Sequence, residues 1–194
     1  MNLVELTKKT VENYINEGKI ISPPDDLSKE FLERKAGTFV TIEKEIRGLP
    51  RGEYKRALRG CIGTYLPVRA NIAEEIISNA IAAATEDYRF GSVQKEELPY
   101  LSYTVYILSE PELVKDIKEL NPRKYGIIVK TVPISQSGDV VFNGHFIAKT
   151  GLLLPDLEGI DTIEQQISIA CQKAGIDPRE QKFLIYRFTA EKYQ

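Results

Sequence analysis

The stretch from Val68 to Thr85 constrains the fold more than any other part of the chain. Val68, Ile72, Ile76 and Ala80, flanked by Ala73, Ile77, Ile81 and Ala84, recur at helical spacing and form a broad apolar face. A helix of this kind owes its stability to burying that face. Glu74, Glu75 and Asn79 are expected toward the other side. The neighbouring segments are of a different kind. Gly37-Thr38-Phe39-Val40-Thr41-Ile42 and Ala57 to Tyr65 precede it, and Ser102 to Leu108 follows; all three read as strands. Packing the helix on a sheet made from them covers both kinds of apolar surface at once.

The rest of the chain adds elements in an order that does not alternate strictly between strand and helix, so the fold class is α+β. Asn2 to Glu17 carries a helical stripe of Leu3, Leu6, Thr10 and Tyr14, with Val4, Val11 and Ile15 beside it, and Gly18 is a natural stop. Ser22 to Asp26 contains two prolines and forms a loop. Leu27 to Arg34 fits a short helix. Gly48, Pro50 and Gly52 turn the chain between the first two strands, which makes them a long-looped hairpin. A short polar stretch lies between Pro111 and Pro122. Tyr125 to Val132 and Val140 to Lys149 read as strands around a 135–139 turn, and Gly151 to Pro155 as an apolar loop. A last helix opens at Asp161 with Glu164 completing a capping box, turns Ile163, Ile167, Ala170 and Ala174 inward, and stops at Gly175. Phe183 to Thr189 is a closing strand. Strand pair, helix, strand thus occurs in the first half and, weakly, again in the second.

Composition narrows the function classes. With 194 residues and ordinary fractions of apolar and charged side chains, the chain can bury roughly 70% of its unfolded surface without staples. A net charge of -2 argues against a dedicated nucleic-acid coat. Cys61 and Cys171 are the two cysteines, the first residues mix acid and base without a secretory apolar core, and no apolar run suits a membrane span. These features lead to the expectation of a cytoplasmic protein with free thiols and no membrane partner.

Chemistry concentrates in Leu58-Arg59-Gly60-Cys61-Ile62-Gly63. In an extended strand side chains alternate. Strict alternation puts Leu58, Ile62 and Thr64 on one face and Arg59, Cys61 and Tyr65 on the other. A permanent cation beside a thiol favours the thiolate, and glycines beside the sulfur let a ligand or another backbone approach. Arg59 is then also an anchor for a carboxylate or phosphate. The plainer alternative is a small strand packed under a helix, with Cys61 as a minor hydrophobe.

The hexapeptide resembles the signature of the AMMECR-type domain family, named for a chromosomal region tied to Alport syndrome, midface hypoplasia and elliptocytosis. The 37–42 strand, Ala84-Thr85-Glu86-Asp87-Tyr88-Arg89-Phe90, Glu97-Leu98-Pro99, the Ser102 to Ser109 strand and Gly151-Leu152-Leu153-Leu154-Pro155 are similar to further segments of that family, so the likeness covers essentially the whole chain. It implies one domain over residues 1–194, built as two β-rich lobes with flanking helices around a mostly antiparallel sheet. The larger lobe contains 37–110, the smaller part of 111–194, and a cleft lies near the hexapeptide. It implies no established reaction, but a shared pathway with Memo-like and radical S-adenosylmethionine proteins, which become candidate partners. The chain fits the pattern loosely at Asn143-Gly144-His145-Phe146, and its 48–55 loop is long.

The leading expectation is a thiol-dependent enzyme or enzyme component acting on a small anionic substrate. Cys61 is its nucleophile or redox thiol; Arg59, Gly60, Gly63, Asp87 and Arg89 are its binding residues; no metal or cofactor is expected. The alternative is a non-catalytic adaptor that grips a peptide or protein. A third reading, RNA binding, rests on Arg47, Arg51, Lys55, Arg56 and Arg59 around the hairpin loop, diluted by Glu43, Glu45 and Glu53. His145, the single histidine, would make a nucleophilic pair if it approached Cys61. Asp87 and Arg89 equally suit a helix-end ion pair, and Cys171 is expected to be buried and inert. Walker, Rossmann, nucleophile-elbow and H-E-x-x-H patterns are absent, a structural zinc site lacks ligands, and Pro67 stands where a cysteine phosphatase has arginine.

Overall fold

The computed structural model describes residues 1–46, 55–133 and 147–194. The chain divides into two compact units, Met1–Leu108 with Glu191–Gln194, and Ser109–Ala190. Among the described residues the strands form two four-stranded sheets, one in each unit, as expected of an α+β chain with two β-rich lobes.

In the first unit, α1 (Leu3–Glu17) begins on a capping box between Asn2 and Glu5 and ends at Gly18 with φ 67°, a left-handed turn that glycine adopts freely. A short α2 (Lys29–Glu33) leads into β1 (Thr38–Ile46) and β2 (Lys55–Thr64), which pair antiparallel as the expected hairpin. Then come α3 (Ile72–Thr85), a 3-10 turn at Lys95–Tyr100 and β3 (Leu101–Leu108). The sheet order is β2-β1-β3-β8, where β8 is Ala190–Tyr193. β8 lies beyond the closing strand expected over Phe183 to Thr189.

Alternation sends Val40, Ile42, Tyr103, Val105 and Ile107 to one face of this sheet, where they bury with Ile72, Ile76 and Ala80 of α3 and Leu3 and Leu6 of α1. Each large aliphatic side chain removed from water in this way contributes about 1.5–3 kcal/mol.

The long helix differs from its expected form in two respects. It starts at Ile72, because Asn71 accepts the Glu74 N–H and caps it, and Val68 lies exposed ahead of the helix. Glu75 and Asn79 do not face solvent: Glu75 is 0% exposed and Asn79 is buried. Their polar ends serve the backbone around them. Glu75 accepts from the Thr64 hydroxyl at 2.6 Å and from the Val68 and Arg69 N–H groups at 2.8 and 2.7 Å. Asn79 donates to the Thr38 carbonyl and hydroxyl at 3.1 and 2.8 Å. A hydropathy pattern counts such residues as surface; a fully hydrogen-bonded carboxylate can nevertheless sit inside.

The second unit has the order β4-β7-β5-β6, with β4 Glu112–Leu113, β5 Gly126–Thr131, β6 Thr150–Leu153 and β7 Phe183–Phe188. A 3-10 turn at Ile117–Glu119 lies in the polar stretch after Pro111. The strand expected over 140–149 and its turn fall mainly outside the described residues. The expected 151–155 loop instead begins as β6, pairing Leu153 with Ile127 and Gly151 with Val129. Helix α4 (Ile163–Ala174) is capped by Thr162 with Gln165, one residue later than the Asp161–Glu164 box, since Gln165 Oε1 takes the N–H groups of both Asp161 and Thr162. It packs on β5 and β6 and buries Ala170 and Cys171 with Ile127, Val129 and Leu153.

Written from the hairpin edge, the two orders are β2-β1-β3-β8 and β6-β5-β7-β4. Each unit is a hairpin, a helix and a third strand. The fourth strands are exchanged: β4 follows β3 in the chain but pairs with β7, while β8 follows β7 but joins β3.

Glu75→Ala should lower the unfolding free energy by roughly 2–4 kcal/mol in urea titrations, because three donors lose the buried carboxylate that accepts them. Glu74→Ala, one residue away at the exposed helix start, should cost under about 1 kcal/mol.

Candidate functional site

The hexapeptide occupies β2, the outermost strand of its sheet, and each residue from Arg59 to Gly63 makes a distinct contact. Gly60 sits directly beneath the end of α3. A Cβ built on it would overlap the Ala83 carbonyl oxygen, so the close approach of helix to strand needs glycine there. Ile62 joins the core. Gly63 is equally constrained, since a Cβ would run into the Phe39 ring and the Thr38 carbonyl.

The register shifts between Ile42 and Glu43: Thr41 pairs with Cys61 and Ile42 with Gly60, but Glu43 pairs with Leu58. Arg59 is the extra residue of a bulge. Strict alternation therefore fails, and with it the expected same-face placement of Arg59 and Cys61. Thr41 and Glu43 share a face, so Cys61 shares its face with Leu58. Arg59 reaches the 3-10 turn instead. Its Nε and Nη2 donate to the two Glu97 carboxylate oxygens at 2.9 and 2.8 Å, and Nη1 and Nη2 donate to the carbonyls of Gly91 and Ser92 at 2.9 and 3.0 Å. Lys44 Nζ donates to the same carboxylate at 2.9 Å. The Arg59 side chain is 13% exposed. Its pairing with Glu97 holds that carboxyl at about 2 against the usual 4.5.

A different arginine is linked to Cys61, through a carboxylate and the backbone. After α3 the chain turns through Glu86 to Phe90, and Asp87, 3% exposed, points back at β2. Its Oδ2 accepts the Cys61 backbone N–H at 2.8 Å, which completes an edge-strand donor. Arg89 grips the same carboxylate two-fold, Nε to Oδ1 at 2.9 Å and Nη2 to Oδ2 at 2.7 Å. Asp87 is consequently held at about 2, with Arg89 the largest cause and the Cys61 N–H a further one. Arg89 is raised, first by Asp87, with charge on Cys61 among the lesser contributions. Its side chain remains 43% exposed, and Nη1 takes no part in the grip. Thr41 Oγ1 lies 3.3 Å from Cys61 Sγ. Tyr88, between the pair, is 95% exposed.

The structure thus brings together Cys61, Asp87 and Arg89, and sequence reasoning named all three. It did not name Thr41 or Glu97 as partners, which lie 20 and 38 residues from the positions they bond. The Asp87–Arg89 ion pair is real and also reaches the strand. Cys171 is buried, and burial pushes its thiol up. His145, Arg47 and Arg51 lie outside the described residues. Among the described residues no group of three or more His, Cys, Asp or Glu is placed to hold a metal ion, and no helix is long and apolar enough to cross a membrane.

The AMMECR1 family model matches residues 4–193. A protein of Thermotoga maritima is 46% identical, covering 96% of this chain and 93% of its own length. One from Thermococcus gammatolerans is 37% identical over 99% of this chain and 88% of its own. In Clostridium acetobutylicum a 41% identical match makes up 35% of a longer protein. The crystal structure of an uncharacterised protein from Pyrococcus horikoshii superposes with a TM-score of 0.77 at 32% identity, over 98% of this chain and 88% of that one. The chain belongs to the AMMECR1 family.

Asp87 and Glu97 stay ionised down to about pH 2 in the folded chain, whereas unfolded carboxyls take up protons near pH 4. Their contribution is complete above that range and is lost as pH falls toward 2. Asp87→Asn and Glu97→Gln should each be about 2 kcal/mol less stable than wild type at pH 7, and urea titrations should show the gap closing as pH approaches 2.

Proposed function

We propose that this member of the AMMECR1 family uses Cys61 as a reactive thiol toward a small anionic substrate, with Arg89 in the role of cation. The observation that carries the reading is the half-exposed Arg89 guanidinium, fixed by Asp87 to the strand amide of the cysteine. A guanidinium held in this way acts on both reactants. It favours the thiolate form of a neighbouring sulfur, and its free edge offers donors to a carboxylate or phosphate. Asp87 sets the position and leaves one end of the fork open. Thr41 adds a hydroxyl that can exchange a hydrogen bond with the sulfur.

Tyr88 favours a second reading. A fully exposed aromatic between Asp87 and Arg89 suits a recognition surface of the adaptor kind, in which Arg89 and Tyr88 hold a partner and Cys61 forms no bond. A pathway shared with Memo-like and radical S-adenosylmethionine proteins is compatible with either reading and rests on family resemblance alone.

Alkylation separates the two. In a Cys171→Ser background, Cys61 should react faster with iodoacetate relative to iodoacetamide than a simple thiol does, because the anionic reagent is drawn to Arg89. Arg89→Gln should cut that ratio roughly fivefold, the effect of a partly screened contact of about 1 kcal/mol. The apparent pKa of the alkylation profile should rise in the same variant. A wild-type ratio equal to that of a free thiol, unaltered by Arg89→Gln, would remove the thiol reading and leave the recognition surface.

A further inference from the structure

We propose that Arg59 is a positioning residue for this site: it straps the 86–97 segment onto β2 and so holds Asp87 on the Cys61 amide. The proposal deepens the reading above and rests on it for the identity of the site.

Asp87 and Arg89 sit on an irregular connection between α3 and the 3-10 turn. At its near end the connection continues from the helix, with the Glu86 N–H on the Ala82 carbonyl. Its far end folds back on the helix through the Val93 N–H to the Ala84 carbonyl and the Ser92 hydroxyl to the Thr85 carbonyl. Arg59 then ties this far end to the strand, with four hydrogen bonds to Gly91, Ser92 and Glu97. Glu97 also accepts the Gln94 N–H, so the same carboxylate closes the end of the connection on itself. The result is a strap with two attachment points on β2, Arg59 at one and the Cys61 N–H at the other. Gly60 lies between them, where α3 rests on the strand. Four of the five guanidinium donors are spent on this task, which leaves Arg59 little to offer a ligand.

The second unit supplies a comparison within the same molecule. Gly151 in β6 lies beneath the Ala170 carbonyl of α4 as Gly60 lies beneath Ala83. A cation just before it, Lys149, reaches past the helix end to the Gly175 carbonyl at 2.6 Å and Gln181 Oε1 at 3.2 Å. The residue after Gly151 is Leu152, whose carbonyl accepts from Lys173. Cation and glycine dock the helix end there with no cysteine on the strand. Docking is thus what the cation does in both units, and Cys61, Asp87 and Arg89 are added in one.

Arg59→Lys keeps the charge but removes the fork. Backbone amide hydrogen exchange should then speed up roughly tenfold at Cys61, the factor given by losing about 1.4 kcal/mol of local holding energy, while the core amides of Val40 and Val105 keep their wild-type rates. The iodoacetate preference at Cys61 should fall to that of Arg89→Gln. Glu97→Gln, which keeps the shape of the acceptor, should move both readouts the same way by a smaller factor and carries the test if Arg59→Lys does not fold. Wild-type exchange at Cys61 in the folded variants, or an equal acceleration at Val40 and Val105, would overturn the proposal. If Arg89→Gln leaves alkylation unaltered, the thiol reading falls, and the exchange rate at Cys61 still decides the role of Arg59.

Discussion

The carboxylate of Asp87 joins the parts of the site. It is nearly inaccessible to water, and ionised groups in that position are tolerated only when their oxygens are bonded. Here they take one strand amide and two guanidinium nitrogens. The arrangement depends in turn on how near the end of α3 comes to β2, and that distance is set by the missing side chain of Gly60. Hydrocarbon packing brings the helix down, glycine lets it close, and only then does the carboxylate reach the edge of the sheet. Cys61 and the Arg89 guanidinium are joined because the backbone amide of one and the side chain of the other are tied to the same acid.

Much of this architecture was legible in the sequence, and the illegible parts have identifiable causes. The hairpin, α1 and most of α3 follow from periodicity, since most of their apolar residues pack into one core. Glu75 and Asn79 were misplaced because periodicity weighs side chains by polarity, and it cannot know that Thr38, Thr64 and two loop amides await them inside. The short strands β6 and β8 carry four residues each, too few for a pattern. Within the site, residue types marked Cys61, Asp87 and Arg89, but which arginine is linked to Cys61 turned on one inserted residue. A bulge between positions 58 and 60 rotates Arg59 away from its expected face, and no propensity at those positions announces it.

The weak parallel between the two halves becomes a firm correspondence of strand order, and it extends to detail. Both hairpins place a glycine beneath a helical carbonyl, and both precede it with a cation that reaches around the helix end. In the second unit Lys149 caps the Gly175 carbonyl at the end of α4, and in the first Arg59 holds the carbonyls of Gly91 and Ser92 in the connection beyond α3. Comparing one unit with the other separates what the fold requires from what a function adds.

The exchange of fourth strands has a consequence in time. Residues 190–193 complete the sheet that residues 38–108 begin, so while the polypeptide is being made the outer side of β3 has no neighbour until the whole of the second unit has been synthesised. Joining partners so distant in sequence is an intrinsically slow step. The nascent protein therefore carries an open strand edge on its first unit for as long as the second is being made.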